Sequence, residues 1–362
     1  MLDQFLTGRL HPIIVAVRDD EKWRNKLDLH IRDRYVNIYY RGTNFMQINE
    51  KGRGGRRLTT FFDPLYLPDP DPAKRSGTWK KKEPTAEEAE AHVWLRRHGV
   101  LGEQPLDQDE QIALHLESFD YRMKAMDASK ADGRRPKRER EAQQKMVRVN
   151  NVSADNEYLV CDIEYSFKYR GTEDKVKIGR IDLVAAHRNG PASPPRLALI
   201  ELKYGANAID GDAGLEKHVV DLEHLVGRRD LQRRANDLVK VVQQKLDLGL
   251  VPTAITGFDL DPPLEYIIAI TKHHPKSQRL RDALVGNPDC NGGRLSWPED
   301  VAAKVVVLDN YDDPDDENAL VLRSDKMIPF EEITKDDVPE VIFRGALRDR
   351  RSRAARLAAA TD

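Results

Sequence analysis

Two oppositely charged residues, Glu201 and Lys203, lie inside the apolar stretch "LALIELKYG" at residues 197–205. A β-strand alternates its side chains, so residues two apart point to the same face of a sheet. Burying a carboxylate and an ammonium group costs several kcal/mol unless the two are paired or bind a metal ion. The stretch therefore indicates either a salt pair where a strand leaves the core or two functional groups held side by side on a strand.

A third charged residue, Asp182, interrupts another apolar strand pattern, "KIGRIDLVAA" at residues 177–186. If the two strands pair through the loop at residues 187–196, Asp182 lies across from the region of Glu201. Mg²⁺ prefers carboxylate oxygens and keeps several waters, so two carboxylates on adjacent strands can form an open metal site. Such an ion can polarise a phosphodiester and generate hydroxide, while a neighbouring lysine orients or deprotonates the attacking water.

The segment G-R-I-D-L at residues 179–183, followed by E-L-K at residues 201–203, resembles the PD-(D/E)XK superfamily of restriction-endonuclease-like phosphodiesterases. The Tyr-Gly pair after the lysine and the helix that follows are also similar to this superfamily. The resemblance covers roughly residues 135–275 of the chain. Ile181 stands where the superfamily motif has proline.

The resemblance implies a nuclease that uses Mg²⁺ or Mn²⁺. Asp182, Glu201 and the backbone carbonyl of Leu202 would bind the ion, and Lys203 would orient the attacking water. The implied substrate is nucleic acid, with DNA preferred over RNA, and the implied setting is bacterial antiviral defence. The alternative is a catalytically silent nuclease-fold subunit that binds nucleic acid or a protein partner.

Many members of the superfamily add a glutamate from the helix before the first strand. The helix "KREREAQQKMVR" here offers Glu139 or Glu141. We prefer Glu141 because Glu139 lies nearer the start of the helix, where a carboxylate is explained by the helix dipole. A solvated helix face is the alternative for both residues.

Hydropathy and turn residues predict an α/β (α+β) fold in which helices flank a mixed sheet. The resemblance implies that this sheet is a restriction-endonuclease-like core. Three antiparallel strands joined by hairpin loops precede two helices and two further strands. Capping boxes at Thr85 with Glu88 and at Asp107 with Glu110 predict two earlier helices. The predicted segments are a β-rich accessory module with a meander of about three strands (1–68), a Pro-rich linker (69–84), a helical segment (85–130), the nuclease-like domain (131–345) and a basic C-terminal tail (346–362).

Basic residues supply the candidate contacts to nucleic acid. The candidates are Arg134, Arg135, Lys137 and Arg138 before and within the first helix of the nuclease-like domain, and Lys217 and His218 on the helix after the E-L-K strand. A row of such residues can track phosphates, although a solubilising surface is the alternative. His218 and Asp221 share a helix face that we expect to lie at the surface, outside an apolar stripe that begins at Leu215.

The composition limits the function classes. The net charge of −2 excludes a general electrostatic attraction to nucleic acid, so any such binding depends on local patches. The two cysteines are too few for a disulfide framework or a cysteine zinc site. We expect a cytoplasmic protein, because neither a membrane span nor a signal-peptide pattern is present, and we expect no membrane partner. A homodimer or a protein partner could engage the N-terminal module.

Overall fold

We describe a computed structural model of the chain. The described residues are 2–32, 35–52, 57–80, 83–131, 138–168, 177–190, 193–205, 215–226, 231–272, 284–285, 295–308 and 316–333. They form a mixed α/β structure in two units, each with its own sheet. This mixed character agrees with the predicted α/β (α+β) class. The first unit comprises Met1–Gln144 with Gln244–Leu250, and the second comprises Lys145–Gln243 with Val251–Asp362.

The first unit is built on an antiparallel sheet whose strands follow chain order. Its strands are β1 (Leu27–Ile31), β2 (Tyr35–Tyr40), β3 (Thr43–Lys51), β4 (Arg57–Phe62) and β5 (Gly102–Pro105). The meander expected from the alternating sequence is therefore present, and it is longer than three strands. Apolar residues of β1 to β4 and of the helices in this unit form one core.

Five helices of the first unit fall within the described residues. They are α1 (Leu2–Leu6), α2 (His11–Arg18), α3 (Ala86–Arg97), α4 (Asp109–Glu117) and α5 (Phe119–Ala131). The capping box of Thr85 and Glu88 is confirmed at the start of α3. The capping box predicted at Asp107 is wrong by one residue, because the Asp107 carboxylate instead accepts a hydrogen bond from the Leu58 backbone N–H at 2.8 Å.

The second unit contains a mixed sheet in the order β11-β10-β9-β8-β7-β6. Its strands are β6 (Tyr158–Lys168), β7 (Lys177–His187), β8 (Arg196–Tyr204), β9 (Leu264–Thr271), β10 (Val301–Val307) and β11 (Ile328–Pro329). The first three strands pair antiparallel, whereas β9 runs parallel to both β8 and β10. The predicted antiparallel triplet is confirmed.

Three helices complete the described part of this architecture: α6 (Arg138–Asn151), α7 (Leu215–Val226) and α8 (Leu231–Asp247). Helices α7 and α8 connect β8 to β9, since parallel neighbours need a long crossover. The boundaries between the two units fall inside α6 and α8. Among the described helices, none has the length and apolar character needed to cross a membrane.

Candidate metal and phosphodiester site

The register of β7 and β8 places Asp182 and Glu201 on one face of the sheet. Leu183 pairs with Ile200 at the end of this antiparallel ladder, so Asp182 and Glu201 are the next opposed residues. Directly opposed residues share a face. The Oδ2 atom of Asp182 accepts a hydrogen bond from the Leu202 backbone N–H at 2.9 Å. The aspartate side chain thus bonds the backbone of β8 where the backbone ladder stops.

Glu201 and Lys203 form a buried ion pair that His218 of α7 joins. Lys203 Nζ donates to Glu201 Oε1 at 2.9 Å, and His218 Nε2 lies 2.9 Å from the same oxygen. The Lys203 and His218 nitrogens are 3.2 Å apart. Burial by itself raises the pKa of the Glu201 carboxyl, but the His218 hydrogen bond and the Lys203 charge outweigh burial and lower that pKa. Glu201 is therefore a buried anion.

Tyr266 of β9 contributes a buried hydroxyl to the same face. The parallel register pairs Tyr266 with Leu199, which is two residues before Glu201 and shares its face. Burial raises the pKa of Tyr266 well above its ordinary value, and the charges of Glu201, Asp182 and Asp221 raise it further. A phenol with this pKa stays protonated, so a hydrogen-bond donor lies among three carboxylates.

We name this set of side chains the Glu201 cluster. Its members are Asp182, Glu201, Lys203, His218, Asp221 and Tyr266. Three buried atoms of the cluster have no hydrogen-bond partner among the described residues: Glu201 Oε2, His218 Nδ1 and the Tyr266 hydroxyl. Buried polar atoms are nearly always partnered, and each orphan costs about 1–3 kcal/mol. These three atoms have hydrogen-bonding capacity that water or a polar ligand can use.

The surface position expected for His218 and Asp221 is wrong, because both side chains are buried. Helix α7 packs on β7, which brings these residues towards the sheet. His218 is three residues after Leu215 and four before Leu222, so it belongs to the buried face of the helix by ordinary helical spacing. The helical spacing from Leu215 and Leu222 therefore predicts burial of His218, although histidine is a polar residue.

The remaining candidate residues have different placements. Glu141 of α6 belongs to the first unit, where its Oε1 atom is 3.1 Å from Arg41 Nε. The ion pair with Arg41 explains the position of the Glu141 carboxylate without a bound metal ion. Arg138 is exposed at the start of α6. Arg134, Arg135 and Lys137, together with the side chain of Lys217, lie outside the described residues.

The donor set suits a hard cation bound in part through water. In the described ranges, no group of three or more His, Cys, Asp or Glu side chains is arranged to hold a metal ion. Mg²⁺ commonly uses one or two carboxylates and retains several waters. Asp182 and Glu201 supply two carboxylates on one face, and the Oε2 atom of Glu201 is an orphaned acceptor. The two residues fit this mode of binding.

A second buried charge cluster lies on the opposite face of the same sheet. Its members, which we name the Glu265 cluster, are Tyr158, His187, Glu265 and Lys304. Oε2 of Glu265 is 2.8 Å from His187 Nδ1, and Oε1 accepts from Lys304 and from the Tyr158 hydroxyl. Burial raises the pKa of Glu265, but the His187 and Lys304 hydrogen bonds outweigh it and bring the pKa to about 2. Sequence analysis missed this cluster.

Comparisons with known proteins add no assignment: no family model, curated protein or solved structure matches the chain. The residues and geometry of the Glu201 cluster are therefore the basis for a functional proposal.

Proposed function

We propose that the protein is a Mg²⁺-dependent nuclease of the PD-(D/E)XK type that hydrolyses phosphodiester bonds, with DNA as the favoured substrate. The observation that carries the proposal is the placement of Asp182 and Glu201 on one buried face, with Lys203 hydrogen-bonded to Glu201 and one Glu201 oxygen orphaned. The second oxygen of Glu201 is therefore available to a cation.

The strand order supports a restriction-endonuclease-like core as part of the same proposal. An antiparallel triplet, a helical crossover and a parallel fourth strand follow one another from β6 to β9. Asp182 and Glu201 lie at the end of the β7–β8 ladder, where side chains replace backbone pairing. Rigid strands are suitable mounts for catalytic groups, because they hold those groups within a narrow range of positions.

Each residue has a role that follows from its contacts. Asp182 and Glu201 Oε2 would hold Mg²⁺ or Mn²⁺, with the Leu202 carbonyl as a third ligand. The bound ion would polarise the phosphodiester and lower the pKa of a bound water. Lys203 already lies against Glu201 at 2.9 Å, so its ammonium group can orient the attacking water or meet the charge that develops on the phosphate.

Contacts to the substrate backbone complete the proposal. Arg138, with the basic residues that precede it, would bind phosphates, and the first unit would serve as an accessory module for substrate or partner binding. A role in bacterial antiviral defence is consistent with a nuclease joined to such a module.

The alternative function is a catalytically silent nuclease-fold subunit that binds nucleic acid or a protein partner. A binding subunit would retain affinity for nucleic acid without a divalent ion, whereas the proposed nuclease needs the ion for turnover.

Replacement of two strand lysines, the buried Lys203 and the part-buried Lys304, by methionine tests the proposed nuclease. The purified protein is incubated with Mg²⁺ and a panel of plasmid DNA, linear duplex, single-stranded DNA and RNA. We expect Lys203→Met to lower turnover by on the order of a hundredfold or more, because a group that stabilises the transition state is lost. The matched control, Lys304→Met, removes the lysine of the Glu265 cluster and should retain turnover at a temperature where it remains folded.

Equal turnover by the Lys203→Met and Lys304→Met variants would exclude a catalytic role for Lys203. Mg²⁺-independent binding to the panel with no cleavage would support the silent subunit instead.

A further inference from the structure

His218 contacts two residues of β8, and the D…E-L-K motif does not predict either contact. Its Nε2 atom is 2.9 Å from Glu201 Oε1 and 3.2 Å from Lys203 Nζ, and the ring is buried. The assignment that satisfies Glu201 has Nε2–H donating to the carboxylate. Nδ1 has no partner among the described residues.

Two donors therefore converge on one oxygen of Glu201. A carboxylate held by a single donor can rotate about its terminal bond, since that torsion is broad. Two donors on Oε1 fix the plane of the group and leave Oε2 as the oxygen that faces a ligand. Lys203 cannot be the only anchor in the proposed reaction, because its ammonium group must also reach water or phosphate.

We infer that His218 is a positioning residue of the proposed metal site: it anchors Glu201 Oε1, so that Oε2 stays directed to the divalent cation while Lys203 leaves the carboxylate to meet the substrate. This inference deepens the proposed function and rests on it. Groups that orient metal-binding side chains in this way typically change metal affinity or activity by about 10- to 100-fold when they are removed.

The Glu265 cluster provides an internal comparison. His187 also contacts a buried glutamate, with Nδ1 2.8 Å from Glu265 Oε2. There the other oxygen of the glutamate is occupied by Lys304 and Tyr158, so no acceptor remains for a ligand. His187 is accordingly a stabilising partner, and its removal should affect folding without affecting metal binding.

The test measures Mn²⁺ binding, by electron paramagnetic resonance of the unbound ion, for four full-length proteins: wild type, His218→Ala, His218→Gln and His187→Ala. We expect His218→Ala to bind Mn²⁺ about 10- to 100-fold more weakly than wild type. His218→Gln should stay close to wild type, because its side-chain N–H can still donate to Glu201. His187→Ala should keep the wild-type affinity and lose thermal stability.

Cleavage kinetics give a second readout that a purely structural role would not change. With Mg²⁺ saturating, His218→Ala should lower kcat while the KM for DNA is retained, and His218→Gln should recover most of kcat. If His218→Ala does not fold, folded His218→Leu, which cannot donate to Glu201, replaces it in both measurements and should show the same losses.

Two results would overturn the inference, and they are distinguishable. Wild-type protein that binds no Mn²⁺ removes the proposed function, and the role of His218 with it. Wild-type protein that binds Mn²⁺ with the same affinity as His218→Ala, or far more tightly than folded His218→Gln, overturns the role of His218 alone.

Discussion

The two faces of the second sheet carry buried charge clusters of opposite character. In the Glu265 cluster, both oxygens of the glutamate have partners from His187, Lys304 and Tyr158. In the Glu201 cluster, both donors share one oxygen and the other oxygen is orphaned among the described residues. Both clusters lie on the same sheet and combine a glutamate with a lysine, a histidine and a tyrosine, so the compared feature is how many hydrogen-bond partners each glutamate oxygen has.

Hydrogen bonding, rather than net charge, separates the two clusters. Lys304 pairs with Glu265 and Arg196 contacts His187, while Lys203 pairs with Glu201, so each cluster has cationic groups. The charges of Glu201, Asp182 and Asp221 all act on the Tyr266 hydroxyl. A glutamate with partners on both oxygens stabilises the fold, whereas a glutamate with one unpartnered oxygen can accept a cation.

Replacement of the central glutamate of each cluster should produce the largest difference in stability between the two clusters. We expect Glu265→Gln to cost about 3–5 kcal/mol in the free energy of unfolding, because the part-buried Lys304 and the buried His187 both lose their anionic partner. Glu201→Gln should cost less, because it relieves the repulsion between the opposed Glu201 and Asp182 carboxylates. Urea unfolding of the two variants measures the difference, and equal losses would contradict it.

Acid should weaken the Glu265 cluster by a predictable amount. The pKa of Glu265 is about 2 in the folded protein, below the ordinary value of 4.5. A lowered carboxyl pKa stabilises the fold above the unfolded-state pKa, and this contribution is lost as the pH falls from about 4.5 towards 2. The loss amounts to roughly 3 kcal/mol.

Free energies of unfolding at pH 5, 4 and 3 check this expectation when wild type is compared with Glu265→Gln. The gap between the two proteins should narrow as the pH falls. A constant difference in the free energy of unfolding would mean that the pKa of Glu265 is the same in the folded and unfolded protein.

The sequence predicted the antiparallel triplet, the crossover and three members of the Glu201 cluster for a common physical reason. Asp182, Glu201 and Lys203 are charged residues inside apolar strand patterns. Because side chains alternate along a strand, the sequence alone predicts that Glu201 and Lys203 lie on the same face of the sheet. Their opposition across β7 and β8 needed only the assumption of a hairpin, which the structure confirms.

The features that sequence analysis missed depend on contacts between distant parts of the chain. Glu265 meets Lys304 only because β9 and β10 pair in parallel, and the sequence does not specify their register. Asp107 resembled a helix cap until its partner, the backbone of Leu58, was known. Glu141 resembled a metal ligand, yet its observed partner is Arg41, which is a hundred residues away. Residue type alone does not reveal such partners.

The central claim is that the Glu201 cluster is a divalent-cation site, and calorimetric titration of Mg²⁺ or Mn²⁺ into wild type and Asp182→Asn tests it most directly. Asparagine keeps an oxygen that can accept from the Leu202 N–H, so the fold and the melting temperature should be retained. We predict that wild type binds the ion and that Asp182→Asn loses at least about tenfold in affinity. No binding by wild type, or equal binding by both proteins, would contradict the account.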